Sequence, residues 1–233
     1  MLDPARPILL EGELELKGRM PWSSNATFLV EACRDGETCA GVYKPGRGER
    51  PLWDFPGGLY KREVAAYELA AWLGWDIIPL TVLRDGGPLG EGSVQRFVDA
   101  DFAQHYFTIQ ENEELWPAFQ RLCVFDILAN NTDRKSGHVL IDGDDHVWGI
   151  DNGLSFHQEF KLRTVIWEWG GDPIPDDLLA DVAALLDRGL PSTFATLLDT
   201  FERDAVLTRA RAVLAERHFP TDDTGRRYPW PLV

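Results

Sequence analysis

Short alternations of apolar and polar residues dominate the first hundred residues, which is the pattern of half-buried β-strands. The predicted strands are 8–16, 26–33, 39–44, 77–83 and 92–98. Residues 59–73 instead carry apolar side chains at helical spacing, and Gly74 is a typical stop signal for a helix. This pattern predicts an N-terminal lobe, residues 1–99, made of an antiparallel sheet and one helix.

Helical periodicity replaces the alternation in the second half of the chain. The predicted helices are 113–129, 176–188, 192–198 and 203–217. From Pro220 onwards we predict an extended tail packed by Tyr228 and Trp230. Strands first and helices later indicate an α+β protein in two lobes, with residues 100–233 as a mainly helical C-terminal lobe.

Residues 126–153 join the two patterns. An apolar helix end leads into a polar loop with Asp133, then into two short predicted strands and then into Asp151. The two strands are 139–141 and 147–150. Each acid alone has an ordinary alternative, a solvated helix end for Asp133 and a hairpin turn for Asp151, since Asn-Gly follows it. A hairpin between them, however, can bring the two carboxylates back together.

Two charged residues of the predicted N-terminal lobe complete a chemical set with these acids. Lys44 ends a predicted strand, and Glu63 lies on the following helix, on the side where a lysine on the strand could meet it. Phosphoryl transfer requires a lysine for phosphate oxygens, a glutamate that orients it, a base and a metal-binding acid. The four residues supply these four types, so we predict an ATP-dependent phosphotransferase.

The same residues carry a resemblance to known kinases. The segments R-L-C-V-F-D-I-L-A-N-N-T-D-R and G-I-D-N-G-L-S-F resemble the catalytic segment of type II phosphatidylinositol 4-kinases. They are more distantly similar to other phosphatidylinositol 3/4-kinases, to HipA-type toxin kinases and to the Fam20 secretory kinases. V-Y-K-P-G and R-E-V-A-A-Y-E-L resemble the lysine strand and the lobe-bridging helix of that group. Short actinobacterial phosphatidylinositol 3/4-kinase-like proteins are similar as well, and the matching blocks span about residues 18–156.

This resemblance implies a bilobal protein-kinase-like fold and a role for each matching residue. Lys44 would contact the ATP phosphates, Glu63 would pair with it, and Asp133 would act as the base or orient the substrate. Asp151 would bind Mg²⁺. The remaining implied residues surround the nucleotide or support the loop. The loop over the phosphates would contain Ser23, Ser24 and Asn25, the adenine linker Gln95, Phe97 and Val98, and the loop support Asp126, Asn131 and Arg134.

The sequence departs from the family pattern at two places. His138 stands where these kinases usually have an asparagine that holds a second metal, and Mg²⁺ prefers hard oxygen ligands. His138 would therefore weaken one metal site, favour Mn²⁺, or simply hydrogen-bond the loop. The phosphate loop contains only one glycine, Gly18. Both departures support an alternative, a nucleotide-binding pseudokinase or scaffold, and a flipped nucleotide would allow AMP transfer instead of phosphate transfer.

Charge and cysteine usage limit the partners and the location. A formal net charge of −15 over 233 residues argues against nucleic acid and anionic membranes as main partners. Three cysteines without metal spacing fit a reduced cytoplasmic protein. We expect a cytoplasmic monomer whose acceptor is a protein or a soluble metabolite rather than an inositol lipid. The neighbouring cations Lys61-Arg62 and Arg226-Arg227 are local basic clusters that would weaken this argument.

Overall fold

A five-stranded antiparallel sheet forms the N-terminal lobe of the computed structural model, which describes residues 3–21 and 25–233. Its strands are β1 (Glu13–Arg19), β2 (Phe28–Arg34), β3 (Glu37–Pro45), β4 (Thr81–Arg84) and β5 (Gly92–Arg96). They lie in the order β1-β2-β3-β5-β4, and every neighbouring pair is antiparallel. The predicted antiparallel N-terminal sheet is therefore confirmed.

Two of the predicted strands are wrong at their N-terminal ends. Residues 8–11 belong to helix α1 (Ala5–Glu11), because the consecutive residues Ile8 and Leu9 are both buried, which a half-buried strand would not allow. The segment predicted to begin β4 at Ile77 becomes a strand only at Thr81. The carbonyl of Ile77 accepts a hydrogen bond from the Gly149 N–H at 2.7 Å, so this segment contacts the other lobe instead of the sheet.

Helix α2 (Leu59–Leu73) has the predicted bounds and ends at Gly74, whose φ of +76° is the left-handed cap conformation. Its buried apolar side chains from Val64 to Leu73 belong to the same apolar core as the helices of the C-terminal lobe, not to the core under the sheet. Two side-chain hydrogen bonds also connect the end of this helix and the segment after it to the C-terminal lobe. The indole N–H of Trp72 donates to the Gly189 carbonyl at 2.8 Å, and that of Trp75 donates to Asp181 at 2.7 Å. Helix α2 is thus fixed to the C-terminal lobe while it lies beside the sheet.

The C-terminal lobe is mainly helical, as predicted. Its helices are α3 (Tyr106–Ile109), α4 (Trp116–Ala129), α5 (Asp176–Arg188), α6 (Phe194–Leu197) and α7 (Thr200–Glu216). Residues 113–115, predicted as the first turn of the second long helix, form a separate 3-10 turn. The antiparallel hairpin of β6 (Val139–Ile141) and β7 (Val147–Gly149) lies between the two candidate acids, as predicted. Together with the sheet, these helices confirm the bilobal α+β fold.

The C-terminal tail is extended, and the aromatic packing predicted for it is present at Tyr228, whose ring centroid lies 6.4 Å from that of Trp167, but not at Trp230. Trp230 is 87% exposed and Tyr228 is 42% exposed. Backbone hydrogen bonds also hold the tail: the Thr164 N–H donates to the Arg227 carbonyl at 3.1 Å, and the Ser136 N–H donates to the Leu232 carbonyl at 2.8 Å. The tail therefore runs along the loop that carries Asp133. In residues 3–21 and 25–233, no helix has the length and apolar character needed to cross a membrane.

Candidate active site

The sheet and the helical lobe enclose a polar cavity of about 430 Å³, and the four residues predicted to carry the chemistry all line it. Lys44 comes from β3, Glu63 from α2, Asp133 from the loop after α4, and Asp151 from the turn after β7. The Lys44 ammonium donates hydrogen bonds to Glu63 and, at 2.7 Å, to Asp151. Residues separated by up to 107 positions in the sequence thus converge on one cleft.

The backbone around Asp151 fixes the Glu63 carboxylate. The N–H groups of Asn152 and Gly153 donate to its two oxygens at 2.9 and 3.0 Å. A Cβ at position 153 would lie 3.2 Å from a Glu63 oxygen, so glycine permits this close approach. Asp151 itself has a φ of +55°, a conformation that costs a residue with a side chain about 1–3 kcal/mol. This turn aims Asp151 at Lys44 and holds Glu63 in place.

Mutual attraction keeps Lys44 and Asp151 charged. Burial acts to lower the pKa of Lys44, but the carboxylates of Asp151 and Glu63 outweigh burial and raise this pKa above its usual range. The positive charge of Lys44 holds the pKa of Asp151 far below its usual range. Burial raises the pKa of Glu63, against the effect of Lys44. With three hydrogen-bond donors on its oxygens, Glu63 is an ionised partner of the lysine.

Asp133 lies in a loop that begins where α4 ends at Asn130, which has a φ of +53°. Its N–H donates to the Asn131 side-chain oxygen at 2.9 Å, and its carboxylate accepts a hydrogen bond from Lys135 at 2.7 Å. Burial raises the pKa of Asp133, while Lys135 acts in the opposite direction. The sequence analysis missed Lys135, although a cation two residues after a candidate base was a local signal for this contact.

His138 contacts both acidic loops. Its Nδ1 lies 3.0 Å from the Asp133 carbonyl oxygen, and its Nε2 lies 3.4 Å from the second carboxylate oxygen of Asp151. Burial lowers the pKa of His138 to about 4, so the ring is neutral at pH 7. Nδ1 also lies 3.5 Å from the Lys135 N–H, so it donates to the Asp133 carbonyl in one neutral tautomer and accepts from Lys135 in the other. His138 therefore hydrogen-bonds the loop in either tautomer. Its Nε2 is free to bind a metal in the first tautomer and carries the N–H that faces Asp151 in the second.

A buried arginine connects the two acidic loops. The Arg134 guanidinium is fully buried and donates to both carboxylate oxygens of Asp126, at 3.0 and 2.9 Å. It also donates to the Ile150 carbonyl at 2.7 Å and to the Asn152 side-chain oxygen at 2.6 Å. Arg134 is therefore placed to support the loop, as predicted, because its hydrogen bonds connect α4 and the Asp133 loop to the Asp151 turn.

An apolar cavity of about 340 Å³ adjoins the polar one at Lys44, Asp151 and His138. Apolar residues from both lobes line it, among them Val42, Phe97, Val98, Phe102, Leu140 and Ile150. In the predicted linker, the N–H of Phe97 donates to the Ala40 carbonyl at 3.0 Å. The N–H of Val98 has no partner in the described part of the chain. Sequence reasoning missed Val42, Leu140 and Ile150, because apolar residues in strands give no signal that distinguishes a ligand slot from a core.

Gln95, predicted to contact adenine through its backbone, lines the apolar cavity. The Gln95 side chain is buried and donates to the Thr81 hydroxyl at 2.9 Å, so its amide is engaged within the sheet. Ser23 and Ser24 lie outside the described residues. Asn25 lines the polar cavity, and its side-chain oxygen accepts a hydrogen bond from the Arg50 N–H at 3.0 Å.

A divalent cation fits the site only if a bound nucleotide supplies part of its coordination. Within the described ranges, no group of three His, Cys, Asp or Glu side chains is arranged to hold a metal. Asp151 and His138 offer two ligand atoms 3.4 Å apart. Mg²⁺ is typically bound by one or two protein ligands together with substrate phosphates and waters. The donor set is therefore compatible with a metal that arrives with ATP.

An ion pair beneath the cleft joins α2 to the C-terminal lobe. Arg62, the residue before Glu63, pairs with Glu202 at the start of α7, and both side chains are buried. Arg62 also donates to the carbonyls of Gly57 and Gly58, at 3.1 and 3.3 Å. Lys61-Arg62 is therefore not an exposed basic cluster, contrary to the expectation from the sequence. The ion pair instead holds the helix that carries Glu63.

Glu202→Gln is expected to lower the free energy of unfolding by about 1.5–3 kcal/mol, because it removes a charged hydrogen-bond acceptor from the buried Arg62 guanidinium. Urea unfolding would measure the change. The matched control is Glu216→Gln, an exposed position at the other end of α7. Equal effects of the two substitutions would show that the ion pair does not stabilise the position of α2.

Known structures share this architecture. One is the Helicobacter pylori proinflammatory kinase CtkA, with a TM-score of 0.51 and 10% identity over 91% of this chain and 94% of that one. Another is hydra Fam20 with sugar, with a TM-score of 0.55 and 13% identity over 90% of this chain and 86% of that one. At these identities the likeness shows the fold, which is that of atypical kinases.

In sequence, the chain is 37% identical to Protein Rv2133c of Mycobacterium tuberculosis (strain ATCC 25618 / H37Rv), over 98% of this chain and 95% of that protein. The chain belongs to the same family as that protein. No family model matches the chain. The narrower resemblance to phosphatidylinositol 3/4-kinases therefore stays a prediction.

Proposed function

We propose that the protein is a phosphotransferase that moves the γ-phosphate of ATP to a hydroxyl group of its acceptor. The observation that carries this proposal is the convergence of Lys44, Glu63, Asp133 and Asp151 on one cleft beside an apolar slot. Positioning and electrostatic stabilisation account for most of the catalysis in phosphoryl transfer, and such a cleft provides both.

The slot supports one orientation of the nucleotide. Adenine fits between the apolar side chains of the two lobes, where the free N–H of Val98 would donate to the base. The phosphates would then extend towards Lys44, and the γ-phosphate would reach the polar cavity that contains Asp133. A flipped nucleotide would place adenine in the polar cavity instead. This contrast favours phosphate transfer over AMP transfer.

Each charged residue has a role in this orientation. Lys44, oriented by Glu63, would bind phosphate oxygens. Asp133 would orient the acceptor hydroxyl and accept its proton, and Lys135 would hold the Asp133 carboxylate in position. Asp151 and His138 would hold a divalent cation, which when bound would neutralise charge on the phosphates. The assembled Lys44–Glu63–Asp151 network also argues against a scaffold, which would not need this arrangement.

Labelled nucleotides test the proposal. Purified protein would be incubated with ATP carrying label at the γ-phosphate or at the α-phosphate, with Mg²⁺ or Mn²⁺, in the presence of a cell extract. We expect label to enter acceptors only from the γ-position. Label entering from the α-position would show AMP transfer, and the absence of both ATP binding and label transfer would rule out a nucleotide-dependent enzyme.

His138→Asn is expected to lower the ratio of activity with Mn²⁺ to activity with Mg²⁺ on the order of tenfold, the scale on which changes near a metal ligand alter its affinity. Imidazole suits transition metals, whereas an amide oxygen suits Mg²⁺. Initial rates at matched metal concentrations would measure the ratio. His218→Asn, at an exposed position, is the control. An unchanged ratio would show that His138 does not bind the metal and only hydrogen-bonds the loop.

A further inference from the structure

Residues 230–233 of the C-terminal tail, which we call the strap, border the polar cavity. Pro231 and Val233 line this cavity, next to the loop that carries the proposed base. Between them, the Leu232 carbonyl accepts a hydrogen bond from the Ser136 N–H at 2.8 Å. Alternate residues of an extended segment share one face, which explains why Pro231 and Val233 reach the cavity together. A segment far along the chain from the proposed base thus becomes its neighbour.

The strap lies on the acceptor side of the site rather than on the nucleotide side. In the proposed orientation the nucleotide fills the apolar slot, and the acceptor hydroxyl must reach Asp133 within the polar cavity. Asp133, Pro231 and Val233 line the polar cavity, and in the described part of the chain none of the three lines the apolar slot. The strap therefore narrows the approach of an acceptor and leaves the slot open for adenine.

The strap is held weakly, although the tail before it is anchored. Upstream of the strap, the Arg227 carbonyl accepts a backbone hydrogen bond and Pro229 is buried. Within residues 3–21 and 25–233, the bond from Ser136 is the only backbone hydrogen bond of the strap. Trp230 is 87% exposed and Val233 is 61% exposed, so release of the strap would uncover little apolar surface. An anchored base and a weakly held end allow the strap to leave the cavity without unfolding the lobe.

Structural support of the Asp133 loop is the ordinary alternative for the strap. A supporting segment stabilises its neighbours by burying apolar side chains, as Phe219 does with 2% exposure just before the tail. The residues of the strap instead remain exposed. The loop also has its own support, because Arg134 already joins it to α4 and to the Asp151 turn. The strap therefore adds little to the stability of the loop, while its position controls access to the cavity.

We propose that residues 230–233 are an autoinhibitory strap, which an acceptor must displace before its hydroxyl can reach Asp133. The inference rests on the proposed phosphotransferase function. The strap exchanges between a bound and a released position, and only the chain with a released strap binds the acceptor productively. The apparent affinity for the acceptor is then reduced by the fraction of molecules in which the strap is released. One backbone hydrogen bond holds the strap, and its contribution changes an equilibrium constant by about two- to tenfold.

The Ser136 N–H provides a test in the full-length chain. Ser136 is the first residue of a 3-10 turn, a position where proline is tolerated, and Lys135 before it has the extended φ and ψ of −82° and 162° that proline favours in the preceding residue. Ser136→Pro removes the N–H and places a ring carbon against the Leu232 carbonyl, which releases the strap. Ser136→Ala is the matched control, because it retains the N–H and removes only the hydroxyl contact with His105.

Transfer of label from γ-labelled ATP into a dilution series of one cell extract would measure the effect. We expect Ser136→Pro to need about two- to tenfold less extract than Ser136→Ala for half-maximal labelling. The affinity for ATP, measured by titration with a fluorescent ATP analogue, should stay the same, because the strap does not line the slot. A chain that lacks residues 230–233 should show the same gain over the wild-type protein, and it is the second variant if Ser136→Pro does not fold.

Three outcomes separate the inference from the proposed function. Labelling by the chain without residues 230–233 that is equal to or weaker than labelling by the wild-type protein would overturn the inference and leave the proposed function intact. A folded Ser136→Pro that labels no better than Ser136→Ala would do the same. No labelling by the wild-type protein or by any variant would overturn the proposed function and the inference with it.

Discussion

Asp133→Asn is expected to lower γ-phosphate transfer by about 10²–10⁴-fold, the contribution of a positioned general base. The amide keeps the size of the side chain but cannot accept the proton of the acceptor hydroxyl. Because Asp133 lies at the edge of the polar cavity and not in the core, the substitution should leave the fold intact. Initial rates of label transfer at saturating ATP would measure the loss.

Binding measurements separate this loss from loss of nucleotide. Asp133→Asn should bind ATP with an affinity close to that of the wild-type protein, since Lys44 and the apolar slot remain. Asp187→Asn, on the exposed face of α5, is the control and should keep full activity. Near-normal transfer by Asp133→Asn would remove Asp133 from the proposed mechanism.

Asp126→Ala is expected to lower the free energy of unfolding by about 3–5 kcal/mol, the effect of removing one partner of a buried ion pair. The substitution leaves the fully buried Arg134 guanidinium without the carboxylate that accepts hydrogen bonds from two of its nitrogens. The remaining oxygens, from His138, Ile150 and Asn152, carry no charge. Urea unfolding followed by circular dichroism would measure the change.

Asp176→Ala is the matched control, because its carboxylate pairs with the exposed Arg217 at 2.8 Å. Exposed ion pairs contribute only about 0–1 kcal/mol. Similar losses for the two substitutions would contradict the view that Asp126 and Arg134 brace the site. Together with Asp133→Asn, this comparison distinguishes an acid that supports the fold from an acid that acts on substrate.

Local signals explain the parts of the fold that the sequence predicted. The bounds of α2 and α5 follow from helical periodicity and from a glycine after each helix, at Gly74 and Gly189. The β6–β7 hairpin follows from two short apolar runs around a polar turn. The predicted convergence of Lys44, Glu63, Asp133 and Asp151 needed only their places on these elements and the known requirements of phosphoryl transfer.

Long-range contacts explain what could not be predicted. The alternation near Ile8 is compatible with a strand, and only packing against the sheet selects a helix. Arg62 and Arg227 both belong to neighbouring basic pairs, yet one is buried against Glu202 and the other lies over the Phe160 ring. The contact between the Asp133 loop and residues 161–165 depends on a parallel bridge between segments about 30 residues apart, for which neither segment carries a sequence signal.

A crystal structure with a non-hydrolysable ATP analogue and Mn²⁺ tests the central claim most directly. We predict adenine in the apolar slot between Val42 and Leu140, phosphate oxygens on Lys44, a cation on Asp151, and the γ-phosphate next to Asp133. An analogue bound outside this cleft, or bound with its α-phosphate next to Asp133, would contradict the assignment of these residues to γ-phosphate transfer.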